Sequence, residues 1–318
     1  MSRPRRAGLL LSVVLGAGMW QGGSVPVTTG TEGGSGALGD SLAQAQASER
    51  VPSRLTPRLT RAFEDKPSSY DSGCHNIAAD ERLHPCVYGD RRGRIRITLY
   101  GDSHAAQWLP ALARAGRAQG WRVTSLTKSA CPSAHVRFDH SGYLGNIAHC
   151  RRWRERAERW IDRHPQDLVV IANWEGYRLL GPEGRRLSAA AADAAWRRGV
   201  AAVLSGLPND TAALVLGDIP TPGRDVPRCL RSHRTRISAC DRSRAASTRG
   251  LRVAADRRAA ASQGAAFRST VGLICPRSPC PLIAGSTLMW RDGKHLTATY
   301  VRRLSPVMRR WVRQALPG

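Results

Sequence analysis

Residues Asp167-Leu168-Val169-Val170-Ile171-Ala172-Asn173 form an uninterrupted apolar run of strand length, rich in β-branched side chains and closed by polar residues at both ends. A strand with one wet face alternates polar and apolar residues. A continuous run marks one covered on both faces, as parallel sheets require. Parallel strands must be joined by crossovers, usually helices, and the flanking sequence supplies them. Strands are expected at 97–100, 121–127, 211–216 and 265–274. Helices are expected from just after Ser103 to about 119, and at 149–164, 188–207 and 243–262, with a last one after 297 carrying Leu304, Val307, Met308, Trp311 and Val312. Gly120, Pro165 and Pro208 punctuate the boundaries. This alternation predicts an α/β fold, three layers deep, around a doubly wound and mostly parallel sheet. No internal repeat is present.

The N-terminus carries Arg3, Arg5 and Arg6 ahead of an apolar run from 7 to 20, too short to span a bilayer comfortably. That pattern is a secretory signal or a membrane anchor over residues 1–21, and it places the protein outside the cytoplasm. Residues 22–70 read as a flexible linker: up to about residue 50 they are Gly, Ser, Thr, Ala and Gln with few large apolar groups. Within the linker, 51–70 adds Pro52, Pro57 and a helical spacing of Leu55, Leu59 and Phe63. The folded domain is expected over 71–318.

The net charge of +25 invites a nucleic-acid partner, but only three lysines contribute (Lys66, Lys128, Lys294). Arginine is spread along the whole chain rather than gathered in a basic block interleaved with aromatics, so no nucleic-acid partner is expected. Export makes the cysteines legible. Eight in an exported chain read as disulfides, and their clustering pairs neighbours: Cys74 with Cys86, Cys131 with Cys150, Cys229 with Cys240, and Cys275 with Cys280. A zinc site needs close-set tetrahedral ligands; no Cys-x-x-Cys occurs, so no metal or other cofactor is expected.

At Gly101-Asp102-Ser103 the strand 97–100 breaks into a turn and then a helix, which puts the Ser103 hydroxyl at the carboxyl end of a strand, where open α/β sheets bind ligands. On these three residues alone, Asp102 or Ser103 is a helix cap. A serine nucleophile needs a base and a group to orient that base. Asp292 and His295, three residues apart near the C-terminus, supply a candidate pair.

Gly101-Asp102-Ser103-His104 and Asp292-x-x-His295 resemble the SGNH (GDSL-type) hydrolase family, in particular the SGNH domain that follows the membrane part of acyltransferase-3 proteins. Cys86-Val87-Tyr88-Gly89-Asp90, the stretch 99–112, Thr127-Lys128-Ser129-Ala130-Cys131-Pro132 and the stretch 292–300 extend the match from about Cys74 to the C-terminus. The resemblance implies a triad of Ser103 as nucleophile, His295 as base and Asp292 as its orienter. It also implies an oxyanion hole made by the Ser103 N–H with two further donors. Asn173, at the end of its strand, stands where the family has its asparagine, although Trp174 follows where the broader family has aspartate. The family's glycine block is not recognisable; a backbone N–H at Ser129 is expected in its place.

Two functions follow from the resemblance. One is an exported serine esterase or O-acyltransferase acting on O-acyl, chiefly O-acetyl, groups of cell-surface carbohydrate, with a separate membrane protein as a possible acyl donor. The other is a non-catalytic glycan-binding domain with a degraded oxyanion hole.

Overall fold

The structure, a computed structural model, describes residues 49–77, 79–139 and 147–317. The expected signal or anchor (1–21) and the first part of the expected linker (22–48) lie outside the described residues. In chain order the first elements are β1 (His75–Asn76), β2 (Cys86–Gly89), β3 (Ile95–Gly101), α1 (Ser103–Ala106), α2 (Leu109–Gln119) and β4 (Trp121–Lys128). Then come α3 (Ile147–Arg163), β5 (Leu168–Ala172), α4 (Ala189–Ser205) and β6 (Ala212–Leu216). The last third holds α5 (Val226–Ser232), α6 (Arg244–Thr248), α7 (Val253–Ser262), β7 (Ala266–Arg268) and α8 (Val271–Ile274). A hairpin of β8 (Ile283–Ala284) and β9 (Thr287–Leu288) precedes α9 (Ala298–Arg303) and α10 (Ser305–Ala315).

Seven strands make the main sheet in the order β1-β4-β3-β5-β6-β7, with β2 also paired to β4. Every pairing in it is parallel except β2 with β4. The chain leaves β3 for β4 on one side and then crosses to β5 on the other. The order therefore reverses at β3, and a crevice opens at its carboxyl end.

The apolar run of β5 is covered on both faces, as its composition requires. Leu168, Val170 and Ala172 face the core beneath α2, α9 and α10, whereas Val169 and Ile171 face the core beneath α3, α4 and α7. Trp108, Trp290 and Trp311 fill the first of these cores; Trp153 and Trp196 fill the second. The four disulfides join the sequence neighbours: Cys74–Cys86, Cys131–Cys150, Cys229–Cys240 and Cys275–Cys280.

Four sequence expectations are corrected here. Residues 51–70, expected as linker, are packed into the domain. Leu55, Leu59 and Ala62 enter the first core, Thr56 is bonded to the β8–β9 hairpin, and the Asp65 carbonyl accepts the Ala298 N–H. The buried stripe ends on Ala62 while Phe63 is exposed, so two leucines and the small alanine, held by backbone bonds, suffice to dock the segment. The helix expected at 243–262 is split into α6 and α7 at Gly250, whose φ of +89° a continuing helix cannot contain. The strand expected at 265–274 stops at Arg268, because the chain turns into α8, where the Thr270 hydroxyl is tied to the Asp218 carbonyl. The C-terminal helix is two helices, broken at Leu304 ahead of Pro306. Among the described residues no helix is long and apolar enough to cross a membrane.

Candidate active site

Ser103 stands at N1 of α1, directly after the central strand. Gly101 makes this possible. Its φ is +148°, and a Cβ there would come within 2.0 Å of the Ala172 carbonyl oxygen, so only glycine lets β3 approach β5 while the chain turns. Asp102 is fully buried and caps α1 by accepting the His104 N–H at 2.8 Å. The same carboxylate accepts the Trp174 N–H at 2.9 Å and the Tyr177 hydroxyl at 2.8 Å. Asp102 thus pins the segment after β5 to the Ser103 turn, a structural tie rather than a triad role.

The far end of the chain is brought to Ser103 by a turn closed between Trp290 and Leu296. The Leu296 N–H donates to Gln107 Oε1 at 3.1 Å, fastening this turn to the C-terminus of α1. Asp292 Oδ1 accepts the N–H groups of Lys294 and His295, both at 2.7 Å, and Oδ2 lies 2.9 Å from His295 Nδ1. His295 Nε2 is 3.0 Å from Ser103 Oγ. A carboxylate, an imidazole and a hydroxyl therefore form one continuous chain across 192 residues of sequence. The Asp292 bond fixes the tautomer with Nδ1 protonated, leaving Nε2 to accept the serine proton.

The electrostatics suit that direction of transfer. Burial would raise the Asp292 carboxyl, but the bond and charge of His295, with the two N–H donors, hold it below the usual carboxylate range. Burial drives His295 down to about 4 against the pull of Asp292, and the charge of His104 pushes it further in the same direction. His295 is therefore neutral at pH 7, with Nε2 unprotonated.

His104 belongs to a second histidine–carboxylate pair that sequence reasoning missed. Its Nδ1 is 2.6 Å from Asp218 Oδ1, both side chains are almost fully buried, and its ring centroid is 4.9 Å from that of His295. Burial lowers the His104 pKa, but the charge and hydrogen bond of Asp218 outweigh it and raise it. Behind Asp218, Glu175 donates its N–H to Asp218 Oδ2 at 2.9 Å and accepts the Asp218 N–H at 3.0 Å. Burial and the charges of Asp256 and Asp218 raise Glu175 well above the usual carboxylate range, so it keeps its proton. The Gly-Asp at 217–218 directly after β6 was the available sequence signal, since it ends a strand on the same edge as Ser103.

The two expected oxyanion donors fare differently. Asn173 is buried beside this edge, and its Oδ1 accepts both the N–H and the hydroxyl of Ser133, at 2.7 and 3.0 Å. That anchoring fixes the amide plane and leaves Nδ2 without a hydrogen-bond partner among the described residues. Ser129 does not fit its expected role. Its N–H donates to the Asn76 carbonyl at 2.8 Å, as the strand pairing of β1 with β4 continues into the loop, and its hydroxyl is 2.9 Å from His75 Nε2. A backbone N–H already held in that way is not free to meet an oxyanion.

Among the described residues one group of candidate metal ligands comes together. Cys229, His233 and Cys240 come within 4.8 Å of one another, but both sulfurs are consumed in a disulfide.

A cavity of about 580 Å³ opens beside His295, walled by Trp174 and Gly176 after β5, by residues 218–225 after β6, by 247–251, and by 292–294. It lies at the carboxyl edge of the sheet, where the strand order predicts a ligand site.

The chain belongs to the family of SGNH domains fused to AT3 domains, whose model matches residues 73–310. It is therefore an SGNH-type, hydrolase/acyltransferase-like domain. No curated protein matches the sequence. Among solved structures, the periplasmic domain of a lipopolysaccharide acetyltransferase from Salmonella Paratyphi A is similar over 81% of this chain and 98% of its own, at 14% identity and a TM-score of 0.56. A carbohydrate acetylesterase from Sinorhizobium meliloti aligns over 70% of this chain and 99% of its own, at 14% identity and a TM-score of 0.43. At 14% identity the likeness to the Salmonella domain is one of fold.

Proposed function

We propose that this domain cleaves or transfers O-acyl groups, chiefly O-acetyl, on extracytoplasmic carbohydrate through an acyl-enzyme on Ser103. The observation that carries the reading is the unbroken chain from Asp292 Oδ2 through His295 to Ser103 Oγ, at 2.9 and 3.0 Å. His295 Nε2 takes the hydroxyl proton as Ser103 Oγ attacks the ester carbonyl. The resulting oxyanion is met by the Ser103 N–H, an orphan donor at the start of α1, and by Asn173 Nδ2. The proton then passes from His295 to the atom of the donor that carried the acyl group, a sugar oxygen when the donor is an acylated glycan, leaving acyl-Ser103. Water or a second sugar hydroxyl, deprotonated by His295 in turn, releases the acyl group. Water makes the enzyme an esterase and a sugar hydroxyl makes it a transferase. In the transferase case a separate membrane protein is the natural acyl donor.

The similar Salmonella domain supports the carbohydrate and acetyl parts of this reading. Four disulfides support an oxidising, extracytoplasmic location, and the basic, apolar N-terminus supports export or anchoring. The test is acetate release from an aryl acetate by the wild-type protein and by Ser103→Ala, with fluorophosphonate labelling of Ser103 alongside. Labelling and a rate lost in the variant support the enzyme. Equal rates with no labelling sink it and leave the glycan-binding reading, which the engaged Ser129 N–H favours.

A further inference from the structure

The cavity beside His295 is lined by three carboxylates and three cations that differ in how far the protein already engages them. Each carboxylate has work to do inside the protein. Asp218 holds His104 at 2.6 Å, Asp292 holds His295, and Asp225 caps α5 by accepting the Arg228 N–H at 2.8 Å. The three cations that line it have no such engagement. Arg224 reaches only the Ala239 carbonyl, at 3.3 Å, and Cys229 Sγ. None of Arg224, Arg249 and Lys294 has a carboxylate oxygen within 4.0 Å among the described residues.

The cations are also placed by the fold. Gly293 passes so close to the Arg224 carbonyl that a Cβ would lie 3.2 Å from it, which holds the Arg224 loop against the Asp292–His295 turn. The Trp174 indole packs on Gly176, where a Cβ would come within 2.5 Å of the ring, and the Lys294 ammonium lies 4.3 Å above the ring centroid. The indole face thereby keeps that ammonium at the cavity wall. Arg249 ends α6 just before the Gly250 turn and faces the cavity from the opposite loop.

We propose that this cavity is a subsite for an anionic sugar residue, one bearing a carboxylate or a phosphoryl group, gripped by Arg224, Arg249 and Lys294 while its acyl ester is presented to Ser103. The inference rests on the carbohydrate reading above and narrows it from glycans in general to acidic ones. Arginine suits the task because its planar fork meets carboxylate and phosphate oxygens in pairs. The cavity volume falls in the range of about 300–1,000 Å³ usual for small-ligand sites.

The test is calorimetric binding of unacylated sugars, which needs no turnover. Galacturonate trimer is compared with neutral xylotriose, and glucose 6-phosphate with glucose. Each anionic ligand is expected to bind at least about tenfold more tightly than its neutral counterpart, less so as salt is raised. The stronger of the two anionic ligands identifies the carboxylate or the phosphoryl group as the native anion. An Arg224→Gln/Arg249→Gln protein is expected to lose at least about tenfold in affinity for the anions. Lys294→Gln provides a second variant should the first fail to fold. Equal affinity for anionic and neutral sugars, or variants that bind the anions as the wild type does, overturns the proposal. Loss of the acyl-enzyme reading would appear separately, as aryl acetate turnover indifferent to Ser103→Ala, and leaves this binding result to be judged alone.

Discussion

Replacing His104 by Gln removes a buried charge beside the base, and the consequence can be worked from the geometry. Two unit charges 4.9 Å apart repel by about 3 kcal/mol at an effective dielectric of about 20. Asp218, 2.6 Å from His104, opposes that repulsion in the wild type and stays behind when only His104 is removed, so the substitution raises the His295 pKa. The other groups facing His295 stay in place: Asp292, Arg291, and His75, which burial and then the Arg291 charge hold neutral with a pKa of about 3. In the proposed mechanism the active form carries His295 unprotonated, so a lowered pKa extends activity into acid. For the wild type, kcat/KM on an aryl acetate is expected to fall with an apparent pKa of about 4. For His104→Gln that limb moves to higher pH, so at pH 4.5 the variant keeps a smaller fraction of its maximal rate than the wild type does. The readout is where the limb falls, since its height also responds to any loss of packing. Superimposable profiles for wild type and His104→Gln, or a wild-type limb near 6.5, would refute the reasoning.

Asp292→Asn removes the acceptor that sets the His295 tautomer and is expected to cost about 10³- to 10⁴-fold in kcat, with the thermal midpoint little changed. Asn173→Ala takes away the free Nδ2 donor and should lower kcat about 10²-fold with little effect on KM. Unchanged kcat would remove Asn173 from the oxyanion hole. Gly101→Ala places a methyl group 2.0 Å from a backbone oxygen at a φ of +148° and is expected to destabilise the domain by more than about 3 kcal/mol in urea unfolding. Replacing Cys131 and Cys150 by Ser opens a loop of separation 19 and should cost about 3 kcal/mol. Because Ser133 in that loop anchors Asn173, kcat should fall too.

Much of the site could be read from local sequence because its parts are local. Asp292 and His295 meet across three residues, and Ser103 follows a strand-to-turn pattern that marks the end of a strand. The disulfides were legible because each closes a short loop. Asn173 could be placed at a strand end, but the orientation of its amide depends on Ser133, 40 residues away. Ser129 was misassigned because its N–H is taken by Asn76, and nothing near it in sequence signals that a two-residue strand pairs there. His104 and Asp218 are 114 residues apart, and each alone reads as an ordinary polar residue near a strand end.

Hydrophobic patterning and punctuation by themselves determined the α/β class, the parallel sheet and the edge on which chemistry sits, since these follow from short-range periodicity and from where strands end. Tertiary structure alone decided the strand order that opens the crevice at β3 and the docking of 51–70 against the β8–β9 hairpin. It also decided which N–H groups are already spent and which cations stand unpaired around the cavity. The physical reason is the same throughout: hydrogen bonds and charges are satisfied by whatever the fold brings near, and that partner is set by packing rather than by distance along the chain.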